Sequence, residues 1–193
     1  NRRPQRIAVL PGDGIGRDVA AEAVKVLEAV AERHALPLEL VHFPWSADHY
    51  LETGVSIPPG AMEDLRDNFS AVFIGAYGDP RIPDMRHAAD ILLGIRFKLD
   101  LYINFRPCKL YDARLCPLKG KSPADIDFTI FRENTEGSYV GIGGFLKKGT
   151  PDEVAMQEEI NTYKGVERIC RAAFEWAVAN GKKKVLMADK SNV

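Results

Sequence analysis

Four basic side chains lie at or near the ends of apolar segments, where folded proteins often bind ligands. They are Arg96 in "LLGIRFK", Arg106 in "INFRP", Arg132 in "IFREN" and Lys190 in "ADKSN". Because a desolvated cation is costly without a partner, we expect these side chains to converge on an anionic ligand. A guanidinium group binds a carboxylate through two hydrogen bonds, so the arginines could hold a di- or tricarboxylate in one orientation.

The alternative is a set of unrelated ion pairs, with Asp100, Glu133 and Asp189 as the carboxylate partners. Ion pairs at strand ends are common in proteins without any catalytic role. Spacing alone does not decide between a shared anion site and separate ion pairs.

Tyr139 and Lys190 are a titratable pair that could move protons beside these arginines. Neighbouring positive charges favour the neutral amine of a lysine, which can then act as a base, and a tyrosine hydroxyl can return a proton. Each residue also has a structural alternative, because a lone tyrosine usually packs and a lone lysine after a strand usually faces water.

The segment "GDGIG" (residues 12–16) joins a predicted strand to a predicted helix. It departs from the GxGxxG dinucleotide pattern, because its third glycine comes one residue early and no acidic residue ends the next strand, "LELVHF". A tight turn that needs glycine is at least as good an interpretation. The four histidines lack zinc-site spacing, and the sequence contains neither a GxSxG nor a GxxxxGK[ST] motif.

Composition limits the classes of partner. The 193 residues carry 26 Lys and Arg against 27 Asp and Glu, and this near-neutral balance disfavours nucleic acid and anionic membranes as partners. The three cysteines lack CxxC spacing, which argues against a disulfide framework and a zinc site and suits a reducing compartment. No apolar run is long enough to span a bilayer, and the first residues lead into a strand, so we expect a cytoplasmic protein.

Hydrophobic periodicity predicts the elements that position these residues. The first half alternates strands and helices: "RIAVLPG", "RDVAAEAVKVLEAVAERHA", "LELVHF", "AVFIGA" and "HAADILLGIRFKLD". This alternation predicts an α/β protein with a parallel sheet. The second half contains "LYINFRP", the strand "IDFTIF", a glycine-rich irregular segment over 137–149, the helix "GVERICRAAFEWAVANG" and a final strand "KVLMAD". The chain stops at Val193, where an α/β unit normally turns into its next helix, which predicts an N-terminal fragment.

Four motifs occur in one order: "VLPGDGIG", "FKLDLYINFRP", "RENTEGSY" and "DKSNV". Together they resemble the metal-dependent β-decarboxylating dehydrogenases, the family of isopropylmalate, isocitrate, homoisocitrate and tartrate or D-malate dehydrogenases. The resemblance covers residue 6 to the last residue. It implies the two-domain α/β fold of isopropylmalate and isocitrate dehydrogenases, which is not a Rossmann fold.

The same resemblance implies a domain organisation. Residues 1–104 would form the N-terminal part of the large cofactor-side domain. Residues 105–193 would form part of the small substrate and dimerisation domain, with an arm at about 137–160 that joins two copies. A homodimer or a higher homo-oligomer is therefore expected, with no nucleic acid or membrane partner.

The resemblance also assigns roles to individual residues. Arg96, Arg106 and Arg132 would bind the substrate carboxylates, and Tyr139 and Lys190 would be the catalytic acid–base pair. Leu92, Leu93 and the partner subunit's Val193 would line the pocket for an alkyl group, while Ile15 and the partner subunit's Asn192 would contact NAD. The aspartates that bind Mg2+ or Mn2+ in the family would lie beyond Val193, so no metal ligand is expected in this chain.

The activity implied is metal-dependent oxidative decarboxylation of a 2-hydroxy dicarboxylate, with hydride transfer to NAD or NADP, of which NAD is expected. The leucine pair together with Val193 favours 3-isopropylmalate, the substrate of leucine biosynthesis, because D-malate and tartrate dehydrogenases share the leucine pair but tend to have glycine in place of Val193. A glutamate common in isopropylmalate enzymes is replaced by Ala89. "RENTEGSYVGIGG" is more similar to tartrate and D-malate dehydrogenases. Isocitrate or homoisocitrate dehydrogenase and a non-catalytic dicarboxylate-binding fragment are the further alternatives. A polypeptide that ended at Val193 should be inactive.

Overall fold

The computed structural model describes residues 4–189, which divide between Leu99 and Asp100 into two compact units. We call the part before this division unit 1 and the part after it unit 2. Their assignment to the two domains of a larger enzyme stays a prediction. No helix of the described part of the chain is both long enough and apolar enough to cross a membrane.

Unit 1 is a three-stranded parallel sheet with helices between its strands. Its elements are β1 (Gln5–Gly12), α1 (Ile15–Arg33), β2 (Leu38–His42), α2 (Ala47–Thr53), α3 (Ala61–Asn68), β3 (Ala71–Ala76) and α4 (Arg86–Lys98). The strand order is β2-β1-β3, and both pairings are parallel. The predicted alternation and the predicted parallel sheet are confirmed.

The core of unit 1 fixes α4 against the sheet. Ala8 and Leu10 of the central strand and Ile91 of α4 are fully buried, and Ile95 is 2% exposed. Burying a leucine or isoleucine side chain stabilises a fold by roughly 1.5–3 kcal/mol. Ile91 and Ile95 face the core. The residues beside them on the surface of α4 therefore lie at the edge of the core.

The turn after β1 packs directly on the backbone of β3. A Cβ atom at Gly12 would lie 2.1 Å from the Ala76 carbonyl oxygen, and one at Gly16 would lie 2.3 Å from the same atom. Gly12 also has a φ of 83°, in the left-handed region that favours glycine. The tight-turn interpretation of "GDGIG" is therefore confirmed.

Unit 2 contains two antiparallel strand pairs and one long helix. Its elements are β4 (Ile103–Lys109), a 3-10 turn (Ala113–Leu115), β5 (Asp127–Glu133), β6 (Gly143–Leu146), β7 (Val154–Gln157) and α5 (Tyr163–Ala179). β4 pairs with β5, and β6 pairs with β7. The predicted irregular segment at 137–149 is thus partly wrong, because β6 begins within it.

The β4–β5 pair carries an aromatic cluster on one face and the two candidate arginines on the other. Phe105 lies opposite Phe131, and Trp176 of α5 completes an aromatic cluster with ring centroids 5.2–5.6 Å apart. Since side chains alternate along a strand, Arg106 and Arg132 belong to the other face. The aromatic cluster attaches α5 to one side of the pair and leaves the arginine side open.

Two further expectations are corrected. "KVLMAD" is not a strand: residues 182–189 have no regular secondary structure, and Leu186 and Met187 are mostly exposed. A strand needs a neighbour for its backbone hydrogen bonds, and this segment pairs with none within residues 4–189. Arg106 was expected near the end of an element, but β4 continues through Pro107 to Lys109 because its pairing with β5 continues.

Candidate functional site

Arg106 and Arg132 lie diagonally across the β4–β5 pair, on the same face. Arg106 is opposite Ile130, and Arg132 is opposite Asn104. Diagonal neighbours in an antiparallel pair have side-chain origins roughly 7–8 Å apart, within reach of long side chains. Two guanidinium groups at this spacing can each bind one carboxylate of the same small molecule.

Two asparagine amides connect these arginines. Arg106 Nε donates to Asn104 Oδ1 at 2.7 Å, and Arg132 Nη2 donates to Asn134 Oδ1 at 3.1 Å. Asn104 Nδ2 donates to the same Asn134 oxygen at 3.1 Å, and Asn134 Nδ2 donates to the Leu101 carbonyl oxygen at 3.1 Å. The four side chains therefore form one hydrogen-bonded network anchored on the backbone.

Tyr139 lies beside this network. The Arg132 guanidinium carbon is 5.7 Å from the centre of the Tyr139 ring, within the range of cation–π attraction. The Tyr139 side chain is about half exposed. The segment "RENTEGSY" at the end of β5 thus places the Arg132 guanidinium, which can bind a carboxylate, next to the side chain of Tyr139, whose hydroxyl can donate a proton.

Arg168 binds two of the carboxylates that could have paired with the candidate arginines. Its guanidinium donates to Asp100 at 2.9 Å and to Glu133 at 2.9 Å, and it lies 4.4 Å from the centre of the Tyr102 ring. Asp100 and Glu133 were considered as partners of the candidate arginines, and both are paired with Arg168 instead. Sequence reasoning missed Arg168. Its only signal in the sequence was a basic residue on the half-buried side of a predicted helix.

Glu133 is held in its charged form by several donors. Burial by itself raises the pKa of this carboxyl, but hydrogen bonds from the Thr135 hydroxyl and N–H, from Arg168 and from the Glu136 N–H outweigh it. The net result is a pKa below the ordinary value. The fixed carboxylate orders the chain directly after Arg132.

Glu136 ties the same strand exit to the start of α5. Its carboxylate accepts from the Thr162 N–H at 2.8 Å and from the Thr162 hydroxyl at 2.6 Å. A Cβ at Gly165 would lie 2.2 Å from the Glu136 carboxylate, so only glycine leaves room for this contact. Thr162 in turn caps α5 by accepting from the Gly165 N–H at 3.0 Å.

Leu92, Leu93 and Arg96 share one stripe of α4 in unit 1. All three are half-buried, and the 3.6-residue period places them beside the core-facing residues Ile91 and Ile95. Arg96 lies in the last turn of the helix. The stripe therefore presents two apolar side chains and one cation next to one another.

Asp13, in the turn after β1, joins four segments of unit 1. Its buried carboxylate accepts from the Ala47 N–H at 2.6 Å and from the Gly78 N–H at 3.0 Å, and it lies 2.8 Å from His87 Nε2. His87 is fully buried. With the proton on Nε2, the imidazole donates to Asp13, and Nδ1 is left as a buried acceptor without a hydrogen-bond partner among the described residues.

This contact fixes the β1–α1 turn relative to α2, the segment after β3, and α4. Ile15, the first residue of α1, is 65% exposed at the carboxyl edge of the sheet. Sequence reasoning missed Asp13 and considered His87 only as a metal ligand. An acid between glycines at the end of a buried strand was the available signal.

A groove of about 540 Å³ opens in unit 1 beside α1. Apolar side chains, including Phe43 and Trp45, form most of its wall, and Arg17, His42 and Ser46 are its polar members. Arg17 forms an ion pair with Asp48. The groove contains none of the residues that the sequence predicted for the site.

Some predicted site residues cannot be located. Lys190, Asn192 and Val193 lie outside the described residues, so their roles stay predictions. Between residues 4 and 189, no group of three or more His, Cys, Asp or Glu side chains is arranged to hold a metal ion.

Comparison with known proteins gives consistent matches. The sequence model of the isocitrate/isopropylmalate dehydrogenase family matches residues 6–193. The chain is 44% identical to 3-isopropylmalate dehydrogenase of Thermobifida fusca, over 99% of this chain and 54% of that protein. It is 43% identical to the decarboxylating D-malate dehydrogenase of Escherichia coli, over 98% of this chain and 53% of that protein.

A solved structure agrees with these matches. The crystal structure of isocitrate dehydrogenase from Methylococcus capsulatus matches 93% of this chain and 49% of its own, with a TM-score of 0.73 and 30% identity. The chain spans about half the length of the curated relatives that it matches.

Proposed function

Because this chain belongs to the isocitrate/isopropylmalate dehydrogenase family, we propose that its protein catalyses the oxidative decarboxylation of a small 2-hydroxy dicarboxylate. One observation supports the substrate class above the others. Arg106 and Arg132 share one face of the strand pair and are oriented by neutral amides, and Arg132 adjoins Tyr139. A dicarboxylate is the small ligand that two oriented guanidinium groups recognise best.

Binding would divide among the three arginines. In this proposal Arg96, Arg106 and Arg132 bind the substrate carboxylates. Lys190 takes the proton of the 2-hydroxyl group as the substrate is oxidised. Tyr139 returns a proton to the enol carbon after CO2 has left.

NAD would supply the hydride acceptor. Ile15 fits this role, because its exposed side chain offers an apolar surface for a nicotinamide ring at the carboxyl edge of the sheet. Asn192 would contact the same cofactor. The family resemblance also implies Mg2+ or Mn2+, for which residues 4–189 offer no cluster of three or more ligands.

We favour 3-isopropylmalate as the substrate, because Leu92 and Leu93, together with the partner subunit's Val193, would form an apolar wall for its alkyl group. The alternatives are D-malate or tartrate, then isocitrate or homoisocitrate. The two relatives named above differ by one percentage point in identity and do not discriminate between these substrates.

The hairpin formed by β6 and β7 supports a homo-oligomer as part of this proposal. All residues of both strands are exposed, among them Phe145 (60%), Leu146 (63%) and Met156 (63%). A bridge between Gly137 and Ile160 closes the hairpin at its base. Exposed apolar surface on a narrow ribbon is typical of a contact between chains. A cytoplasmic location completes the proposal.

The substrate is tested by comparing kcat/KM for 3-isopropylmalate and D-malate in the protein made from its native reading frame. Removing two or three methylenes from a ligand loses about 0.8 kcal/mol for each buried CH2, so 3-isopropylmalate should be preferred by well over tenfold. Equal values, or a preference for D-malate or tartrate, would overturn the choice of 3-isopropylmalate.

The length of the native reading frame separates the enzyme from a non-catalytic dicarboxylate-binding protein. Continuation past Val193 with several aspartates after strands favours the enzyme. A stop codon directly after Val193 would favour the binding protein.

A further inference from the structure

Arg106 and Arg132 differ from many other arginines of the chain in the groups that orient them. Arg6, Arg17, Arg66, Arg81, Arg86, Arg114, Arg168 and Arg171 each form an ion pair with a carboxylate. Arg106 and Arg132 instead donate to the amide oxygens of Asn104 and Asn134. An amide oxygen accepts a hydrogen bond without contributing a formal negative charge.

We propose that Asn104 and Asn134 are positioning residues for substrate binding, which orient the two guanidinium groups while leaving their positive charges available to a dicarboxylate. This inference rests on the proposed function. It adds two residues that touch neither the substrate nor the reacting atoms and act through the arginines.

The hydrogen bonds fix the direction of both amides. Asn134 is 9% exposed, and its nitrogen is committed to the Leu101 carbonyl oxygen, so its oxygen must face Arg132. Asn104 accepts from Arg106 and donates to Asn134. Rotating either amide by half a turn would place donors against donors, so the network has one satisfied arrangement.

A carboxylate at either position would fill the same space but act differently. Aspartate and asparagine are nearly isosteric, so the Asn134→Asp substitution is not excluded by size. Its carboxylate would form a charge-assisted pair with Arg132 and compete with a substrate carboxylate for it. The neutral amide avoids this competition. The amides also supply the N–H donors to the Leu101 carbonyl oxygen and to Asn134, which carboxylates would lack, so asparagine serves both the network and the anion that the arginines must bind.

The test compares Asn134→Asp and Asn104→Asp with the unsubstituted protein made from its native reading frame. We expect each variant to raise KM for the preferred 2-hydroxy dicarboxylate at least tenfold with a smaller change in kcat, because ground-state binding is weakened. Binding of succinate, a dicarboxylate that cannot be oxidised at a hydroxyl group, should weaken by a similar factor in calorimetry.

Asn180→Asp is the matched control, because it makes the same chemical change in unit 2. Arg168 meets Glu133 near the start of α5, whereas Lys182 meets Asp127 just after its end. Asn180, the C-cap of α5, therefore lies toward the opposite end of β5 from Arg132. This variant should keep both KM and succinate affinity within about twofold, since exposed charges at such a distance are largely screened.

The outcomes separate this inference from the proposed function. Unchanged KM and succinate affinity in folded Asn134→Asp and Asn104→Asp proteins would overturn the inference alone. Succinate binding that weakens in both variants, without turnover of any 2-hydroxy dicarboxylate by the unsubstituted protein, would support the inference and overturn the enzyme. Absence of both turnover and succinate binding in the unsubstituted protein would overturn both.

Discussion

Replacing Asp13 with asparagine should lower the free energy of unfolding by about 2–4 kcal/mol. The buried carboxylate has three donors, the Ala47 N–H, the Gly78 N–H and His87 Nε2, of which the first and the last are themselves buried. An asparagine oxygen that keeps Gly78 and His87 must turn its NH2 group toward the Ala47 N–H. One buried N–H is then unsatisfied, which costs roughly 1–3 kcal/mol.

The remaining two hydrogen bonds would also weaken, because a neutral oxygen replaces a charged one. Charge-assisted hydrogen bonds are about twice as strong as neutral ones, which adds about 0.5–1 kcal/mol for each contact. Together these losses are about 2–5 kcal/mol, and local relaxation lowers the upper end toward the stated range. The opposite amide orientation loses two donors and costs more.

Urea unfolding of the variant and the unsubstituted protein measures this difference directly. Asp18→Asn is the matched control, because it removes an exposed charge from the first turn of α1, where the helix dipole makes it worth about 0.3–1 kcal/mol. An Asp13→Asn protein within 0.5 kcal/mol (roughly the error of such comparisons) of the unsubstituted protein would refute the role assigned to the buried carboxylate.

Three further predictions concern unit 2 and the proton-transfer pair. Arg132→Lys should lower kcat/KM about 10- to 150-fold, since a point charge replaces the fork and a charged hydrogen bond is worth about 1.5–3 kcal/mol; values near the unsubstituted protein's would remove Arg132 from the site. In single-turnover mixing, Tyr139→Phe should keep the NADH burst and slow the later protonation, whereas Lys190→Met should lose the burst; the opposite pattern would reverse the assignment. Because the pKa of Glu133 is lowered on folding, its stabilisation is present above its ordinary value of 4.5 and is lost as pH falls through the folded pKa. Glu133→Gln should therefore flatten the fall of the urea midpoint below about pH 4.5, and equal slopes in the two proteins would contradict this.

The parts of the fold that local patterns determine were predicted well. β1, β2 and β3 are short apolar runs, and α1 follows its 3.6-residue spacing, so each is visible in its own segment. The parallel sheet followed from their alternation. Ile15 lies at the start of α1, and Arg96 lies on α4, which packs against this sheet.

The parts that depend on distant pairing were predicted poorly. The antiparallel register of β4 and β5 joins residues 103–109 to residues 127–133, and no local pattern encodes it. "KVLMAD" has strand composition but pairs with no strand within the described residues. Hydrogen-bonding partners outside the segment, rather than composition, decide both cases.

The residues of the candidate site also divide into those that a local sequence pattern reveals and those that depend on distant pairing. The arginines could be found from their positions beside apolar runs, whereas Asn104 and Asn134 resemble ordinary polar residues in sequence. Their hydrogen bond spans 30 residues, and it exists only because β4 and β5 pair in this register. Asp13 and His87 are 74 residues apart and meet only in the folded unit.

The most direct test of the central claim is a stoichiometry measurement on the protein made from its native reading frame. NADH absorbance and CO2 release are followed together with NAD, Mg2+ and, in separate mixtures, 3-isopropylmalate, D-malate, tartrate, isocitrate or homoisocitrate. We expect at least one of these acids to give NADH and CO2 in equal amounts. Absence of NADH with all five acids, or NADH without CO2, would contradict the proposed oxidative decarboxylation.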